Sequence, residues 1–242
     1  MELKNKILTE LEEKRGGYVS GESLSEKFGV TRQAVWKVVK KLTAEGYIIN
    51  SVTNKGYMLD GRCDLLSSSV ISEKTGAHVE CYDCVTSTNT VARQKYCEYG
   101  KCVIVADSQS EGRKKDGGRF LSPERKGIYM SVAVPLCYPL SCAEKLRGVC
   151  ASTVAECIGR ACKAKPEIKN TDELYIDGKK VCGILTEGEV NFAAATITGA
   201  VIGIGIYTAE VGGTLGYVSS CESRNALIAD IYINLEKALL YA

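Results

Sequence analysis

The sequence predicts an α+β chain in two parts: a small helical unit closed by a β-hairpin, then a larger mixed sheet with helices. Three observations carry this. Apolar residues in the first sixty positions recur at helical spacing and stop at glycines. Two β-rich runs then flank Thr53-Asn54-Lys55-Gly56. After Leu65, strand-like and helix-like stretches alternate.

Residues 2–15 carry Leu3, Ile7, Leu8 and Leu11 on one helical face, and Gly16-Gly17 ends that helix. Ser20 or Gly21 opens a short second helix through Lys27, with Leu24 and Phe28 inward and Gly29 as its stop. Thr31 caps a third helix from Arg32 to about Glu45. Val35, Val38, Val39 and Leu42 give this helix a core face. Arg32, Trp36 and Lys40 form one outer row, and Gln33, Lys37 and Lys41 the next. A short helix, a glycine turn and a further helix is helix-turn-helix grammar, and the hairpin Tyr47–Leu59 adds a wing. Gln and Arg can read base edges and Lys can hold phosphates. Double-stranded DNA is therefore the expected partner, through Thr31, Arg32, Gln33, Trp36, Lys37, Lys40 and Lys55 at the wing tip. A solvated basic helix face is the plain alternative. The winged unit is expected over residues 1–62 and the larger domain over 63–242.

In the larger part, helices are expected near 67–75, 89–99, 142–163 and 223–241. Strands are expected near 78–84, 102–107, 127–135, 179–187 and 192–207, with the helices mainly on one face of the sheet. Gln109–Pro123 breaks the rhythm with three glycines and four basic residues, a composition that suits either an anion cradle or a surface loop.

Composition excludes several functions. The chain has 242 residues, 45% hydrophobic and 25% charged, with 7% aromatics and 4 prolines, which excludes a disordered or low-complexity chain. No apolar run is long enough to span a bilayer and the N-terminus carries no secretory core, so a cytoplasmic protein without membrane contact is expected. The 12 cysteines are scattered and read as reduced, packed thiols; Cys81 and Cys84 form a lone CxxC without further ligands, so no metal site is expected. His78 is the only histidine, which argues against triads and His-based general-base schemes. Net charge is +2, and residues 1–60, with 10 Lys+Arg against 8 Asp+Glu, hold that excess.

Taken together, the motifs resemble the biotin protein ligase/biotin operon repressor family, in which a winged helix precedes a biotinyl-adenylate-forming domain. Gly21-Glu22-Ser23-Leu24, Gly29-Val30-Thr31-Arg32 and Lys55-Gly56-Tyr57 resemble its DNA-binding half. Ser87-Thr88-Asn89 resembles the Ser-Thr-Asn that opens the biotin pocket. Gln109, Gly112-Arg113 and Ser122-Pro123 resemble the adenylate loop, and Tyr129 falls on a pocket tyrosine. Lys180 falls on the lysine that contacts the biotin carboxylate and phosphate, ahead of Gly183-Ile184-Leu185, while Gly203 and Gly205 match a pocket-wall strand. The resemblance spans roughly residues 3–240. It implies biotin as ligand, Arg113, Lys115 and Lys180 as the catalytic cations, and a homodimer.

The departures gather on the ATP side. The family loop reads GRGRxGR and then Trp; here Lys115 replaces an arginine and Phe120 the tryptophan. The family's K-W-P-N-D stands here as Lys169-Asn170-Thr171-Asp172-Glu173, which assigns Lys169, Asp172 and Glu173 to ATP. Because the sequence ends just after its last predicted helix, the small barrel common in the family is expected to be missing. The expectation is a repressor that binds biotin or a biotin-like acid with weak or lost ligase chemistry. Two alternatives stand beside it. One is an active biotin–[acetyl-CoA carboxylase] ligase and repressor that uses ATP and Mg²⁺ and serves biotin carboxyl carrier protein. The other is a sensor or ligase for another acid such as lipoate.

Overall fold

The computed structural model describes residues 2–218 and 223–240, and the chain divides into two compact units, 1–73 and 74–242. In the first unit, α1 (Leu3–Glu13), α2 (Gly21–Phe28) and α3 (Arg32–Ala44) precede the hairpin β1 (Ile49–Val52) and β2 (Gly56–Leu59). Ser20 Oγ accepts from Ser23 N at 3.0 Å to start α2, and Gly29 ends it in the left-handed region at φ 64°. Thr31 Oγ1 accepts from Ala34 N at 3.2 Å to start α3. Ile7, Leu8, Leu11, Leu24, Val35, Leu42 and Leu59 form the core, where each fully buried aliphatic side chain contributes about 1.5–3 kcal/mol.

Val52 pairs with Gly56 across the loop Thr53-Asn54-Lys55. Gly56 is obligatory: its φ is 102°, and a Cβ there would lie 2.1 Å from Val19 O. Val19 and Tyr57 exchange two backbone hydrogen bonds of 2.8 Å, which ties the wing to the strand-like segment before α2. The sequence places the change of domain after residue 62. The compact unit runs to residue 73, with Cys63, Leu65 and Val70 packed in its core.

The boundary helix α4 (Ser68–Thr75) leads into the larger unit, which holds β3 (His78–Val85), α5 (Thr88–Tyr99), β4 (Cys102–Gln109), β5 (Gly127–Pro139), α6 (Ala143–Cys162), β6 (Glu167–Lys169), β7 (Glu173–Ile176), β8 (Lys179–Asn191), β9 (Thr196–Tyr207) and α7 (Arg224–Leu240). The seven strands run in the order β3-β4-β5-β9-β8-β7-β6. The β3–β4 pair is parallel, joined by the α5 crossover, and the other pairs are antiparallel.

The helices lie mainly on one face of the sheet, as the sequence predicts: Leu146 and Cys150 of α6 and Leu239 of α7 border Ala200 and Ile202, whereas Ala92 of α5 packs with Ile104, Ala133 and Val201. Neighbouring residues of a strand point to opposite faces, so α5 lies across the sheet from α6 and α7. Two expectations change. First, β6 and β7 stand in a stretch with no predicted strand. Second, β9 begins at Thr196 rather than 192, because Phe192–Ala195 turn the hairpin, with Ala195 at φ 49°. Residue 241 of the last predicted helix lies outside the described residues.

Candidate ligand cavity and DNA-facing helix

A cavity of about 430 Å³ opens among the start of α5, the end of β4, the glycine-rich loop, the β6–β7 turn and strands β8 and β9. Its polar floor is one connected network. Ser87, Thr88 and Asn89 are each at most 5% exposed. Thr88 N donates to Gln109 Oε1 at 2.8 Å, which satisfies a helix N-terminal N–H that Ser87, whose side chain caps nothing, leaves open. Gln109 Nε2 donates to Ser122 Oγ at 2.9 Å. Ser131 Oγ lies 2.8 Å from Thr88 Oγ1 and 2.6 Å from Asn89 Oδ1. Asn89 Nδ2 donates to Glu187 Oε2 at 2.7 Å. Such a satisfied buried network holds its members in one geometry.

Two glycines make room for side chains over the sheet. A Cβ at Gly203 would lie 2.3 Å from Asn89 Oδ1, and one at Gly205 2.3 Å from Phe120 Cε1. Gly183, which pairs with Gly205, is likewise covered by the Phe120 ring. Phe120 stacks on Tyr207 with centroids 5.4 Å apart and planes 1° off parallel.

The glycine-rich segment is a folded hairpin. Arg113 pairs with Arg119, Lys114 N donates to Gly118 O at 2.8 Å, and Phe120 N donates to Gly112 O at 2.8 Å. Arg113 Nη2 donates to Thr90 Oγ1 at 3.1 Å. Lys115 Nζ stands 3.6 Å from Asp172 Oδ2, so the loop reaches the β6–β7 turn. Lys180 hydrogen-bonds Glu173, which also accepts from Tyr175 Oη at 3.0 Å. Burial raises the Glu173 carboxyl, but the hydrogen bonds from Lys180 and Tyr175 outweigh it and hold the group below the usual carboxylate range.

Most of the residues predicted for the site meet in this cavity: Ser87, Thr88, Asn89, Gln109, Arg113, Lys115, Asp172, Glu173, Lys180, Gly183 and Gly203 all line it. Three do not. Gly112 is packed beneath the loop, where a Cβ would meet Phe120 O at 2.6 Å. Tyr129 is fully buried behind Phe120; its hydroxyl donates to Pro123 O at 3.0 Å, and burial pushes its phenol upward. Tyr129 thus anchors the end of the loop and does not line the cavity. Lys169 lies on the exposed edge strand, with Nζ 4.5 Å from the Tyr175 ring centroid. Sequence reasoning did not assign Lys114, Asp116 or Asn170 to the lining, nor Ser131 and Glu187 behind it. Ser131 had a signal, as the lone hydroxyl in the apolar run Ile128–Val134 apart from Tyr129.

In the first unit, Arg32, Gln33, Trp36, Lys37 and Lys40 are exposed along α3, and Lys55 is exposed on the wing. Lys40 Nζ sits 4.2 Å above the Trp36 ring centroid, and Arg32 pairs with Glu22 of α2. Thr31 is exposed, with its hydroxyl oxygen engaged as the α3 cap.

These units define a class: a helix-turn-helix domain preceding a ligase-like sheet domain. The helix-turn-helix model described as HTH domain matches residues 4–58. The Biotin/lipoate A/B protein ligase family model matches residues 81–206, and the chain belongs to that family. It is 32% identical over 209 residues to the bifunctional ligase/repressor BirA of Bacillus subtilis (strain 168), covering 83% of this chain and 64% of that protein. It is 28% identical over 234 residues to the bifunctional ligase/repressor BirA of Escherichia coli (strain K12), covering 93% of this chain and 73% of that protein. The chain thus spans just under two-thirds of the Bacillus relative. The biotin protein ligase of Leishmania major, solved in complex with biotin, shares the fold at TM-score 0.55 and 23% identity, over 65% of this chain and 72% of that one. No helix among the described residues is long and apolar enough to cross a membrane.

Proposed function

We propose that this chain is a DNA-binding transcriptional repressor of the cytoplasm whose larger unit binds biotin or a biotin-like acid, with ligase chemistry weak or lost. The observation that supports it best is the cavity's polar floor, Thr88-Gln109-Ser122 and Ser131-Asn89-Glu187, closed by hydrogen bonds of 2.6–3.1 Å beside Lys180. A floor pre-set in this way suits a small polar headgroup, and Lys180 supplies the charge for a carboxylate. The ATP side is less well kept. Lys115 stands where the family has an arginine, and an ammonium lacks the planar fork that grips phosphate. Removing such an interaction typically costs about 10²–10³ in rate. Ligand binding would favour a homodimer, which presents two α3 helices to a palindromic operator; linkage then requires tighter ligand binding by the dimer.

An active ligase is the second reading, favoured because Arg113, Lys115 and Lys180 all line one cavity. In that case the biotin carboxylate attacks the α-phosphate of ATP with Mg²⁺, pyrophosphate leaves, and biotinyl-5'-AMP passes biotin to a carrier protein. Native mass spectrometry after incubation with biotin, ATP and Mg²⁺ separates the readings. Biotin alone on the protein is expected. Bound biotinyl-adenylate would establish the ligase, and absence of both adducts would point to another acid such as lipoate.

Lys180→Ala is expected to weaken biotin binding at neutral pH by about ten- to a hundredfold in titration calorimetry, since it removes the cation beside the floor. Unchanged affinity would take Lys180 out of the site. Alanine at Arg32, Trp36 and Lys37 is expected to weaken operator binding and to flatten its salt dependence by about one unit for each phosphate no longer neutralised. Biotin affinity of these variants should match the unaltered protein; a matching loss would refute the assignment of α3 to DNA.

A further inference from the structure

The cations assigned to DNA on the first unit are held in different ways. Lys40 lies over the Trp36 ring, and Lys55 Nζ stands 5.7 Å from the Tyr18 ring centroid. Arg32 meets a carboxylate: its Nη2 pairs with Glu22 Oε1, which joins the first residue of α3 to the first turn of α2. The Arg32 and Glu22 side chains are 66% and 62% exposed, and a pair so open to solvent adds little to stability. Its place on the surface matters more. The first residues of a recognition helix are the ones that reach base edges in the major groove. Arginine's commonest base contact there is the two-pronged bond to guanine O6 and N7. A carboxylate on the same surface repels the phosphates of every duplex alike. It also commits part of the guanidinium's donor fork to Glu22, which gives the remaining donors a set direction.

We propose that Glu22 is a positioning residue for sequence recognition: it holds the Arg32 guanidinium in the direction that reads a guanine, while weakening attraction to DNA in general. This rests on the reading of α3 as the DNA-facing helix. The two roles make opposite demands on two affinities. Without the carboxylate, the DNA-facing surface loses one negative charge, and binding to an unrelated duplex strengthens by about two- to tenfold at low salt. The guanidinium is then free to swing to phosphates, which carry no sequence information. Discrimination at one G·C pair falls by about five- to a hundredfold.

A duplex selected from a random pool by the unaltered full chain, with biotin present, supplies the probe. Fluorescence anisotropy gives Kd for that duplex, for each single base-pair change in it, and for a scrambled duplex. The proteins are the unaltered chain, Glu22→Ala, Glu22→Gln and Arg32→Ala. Both Glu22 variants should bind the scrambled duplex more tightly than the unaltered chain does. Glu22→Ala and Arg32→Ala should lose discrimination at the same G·C pair. Glu22→Gln, whose amide oxygen still accepts from Arg32, should keep part of it. A helix merely loosened by substitution would weaken both duplexes together, and that result overturns the proposal. So does an unchanged ratio of selected to scrambled affinity in Glu22→Ala. Loss of discrimination at a different base pair from that of Arg32→Ala also overturns it, since Glu22 would then read a base on its own. Failure of the unaltered chain to select any sequence ends the DNA reading itself, and the inference with it, before any substitution is made.

Discussion

Arg224→Ala will lower the unfolding free energy of the larger unit by about 3–5 kcal/mol, read from the urea midpoint of its circular dichroism transition. Arg224 is 3% exposed at the start of α7. Its Nη1 donates to Asp107 Oδ1 at 2.7 Å and to Gly127 O at 3.0 Å, so it binds α7 to β4 and β5 at once. Truncation leaves the Asp107 carboxylate buried without its main counter-charge. Arg125, whose exposed side chain places Nε 3.9 Å from Asp107 Oδ2, is too distant and too solvated to replace it. The cost comes from stranding a buried charge rather than from the missing attraction. Arg224→Met combined with Asp107→Asn should therefore cost clearly less than Arg224→Ala alone. A single-variant loss under about 1 kcal/mol would contradict this account.

Gly203→Ala will reduce biotin affinity by about ten- to a hundredfold, equivalent to about 1–3 kcal/mol of overpacking and broken hydrogen bonding. The added methyl would lie 2.3 Å from Asn89 Oδ1, on the atom that faces Ser131 Oγ at 2.6 Å. Asn89 cannot retreat without leaving Glu187, and the floor of the cavity shifts with it. Because β9 is paired on both sides, the backbone at Gly203 has little freedom to yield. Gly213→Ala, at a glycine with open space around it but φ 67°, gives a useful contrast: strain without a clash in the cavity. Equal biotin affinities for Gly203→Ala and the unaltered protein would remove the Asn89 network from ligand binding.

The sequence exposed the winged unit almost completely, because each of its elements carries a local signal. Ser20 and Thr31 act as caps, Gly29 as a stop, and Gly56 sits where only a glycine fits. The cavity was legible where motifs are contiguous, as in Ser87-Thr88-Asn89, or set by a required glycine, as at Gly203. It was not legible where partners come from distant strands. Glu187 meets Asn89 across 98 positions, and nothing local marks it. Strands β6 and β7 span three and four residues, too short for alternation to register. Their pairing is set by the left-handed turn between them, at Asn170 and Thr171. Tyr129 shows the opposite failure: its position matches a pocket residue, but the Phe120 ring intervenes, and the hydroxyl turns to Pro123 instead.

Trp36 is the chain's only tryptophan and is 45% exposed on α3. The intrinsic tryptophan emission of the protein is therefore a private optical channel for the helix assigned to DNA, with the ammonium of Lys40 as its close neighbour. Base stacking or groove insertion would quench or blue-shift that signal. The cavity in residues 87–205 contributes none of it. A change in tryptophan emission on adding biotin alone would thus be a direct optical reading of coupling between the two units.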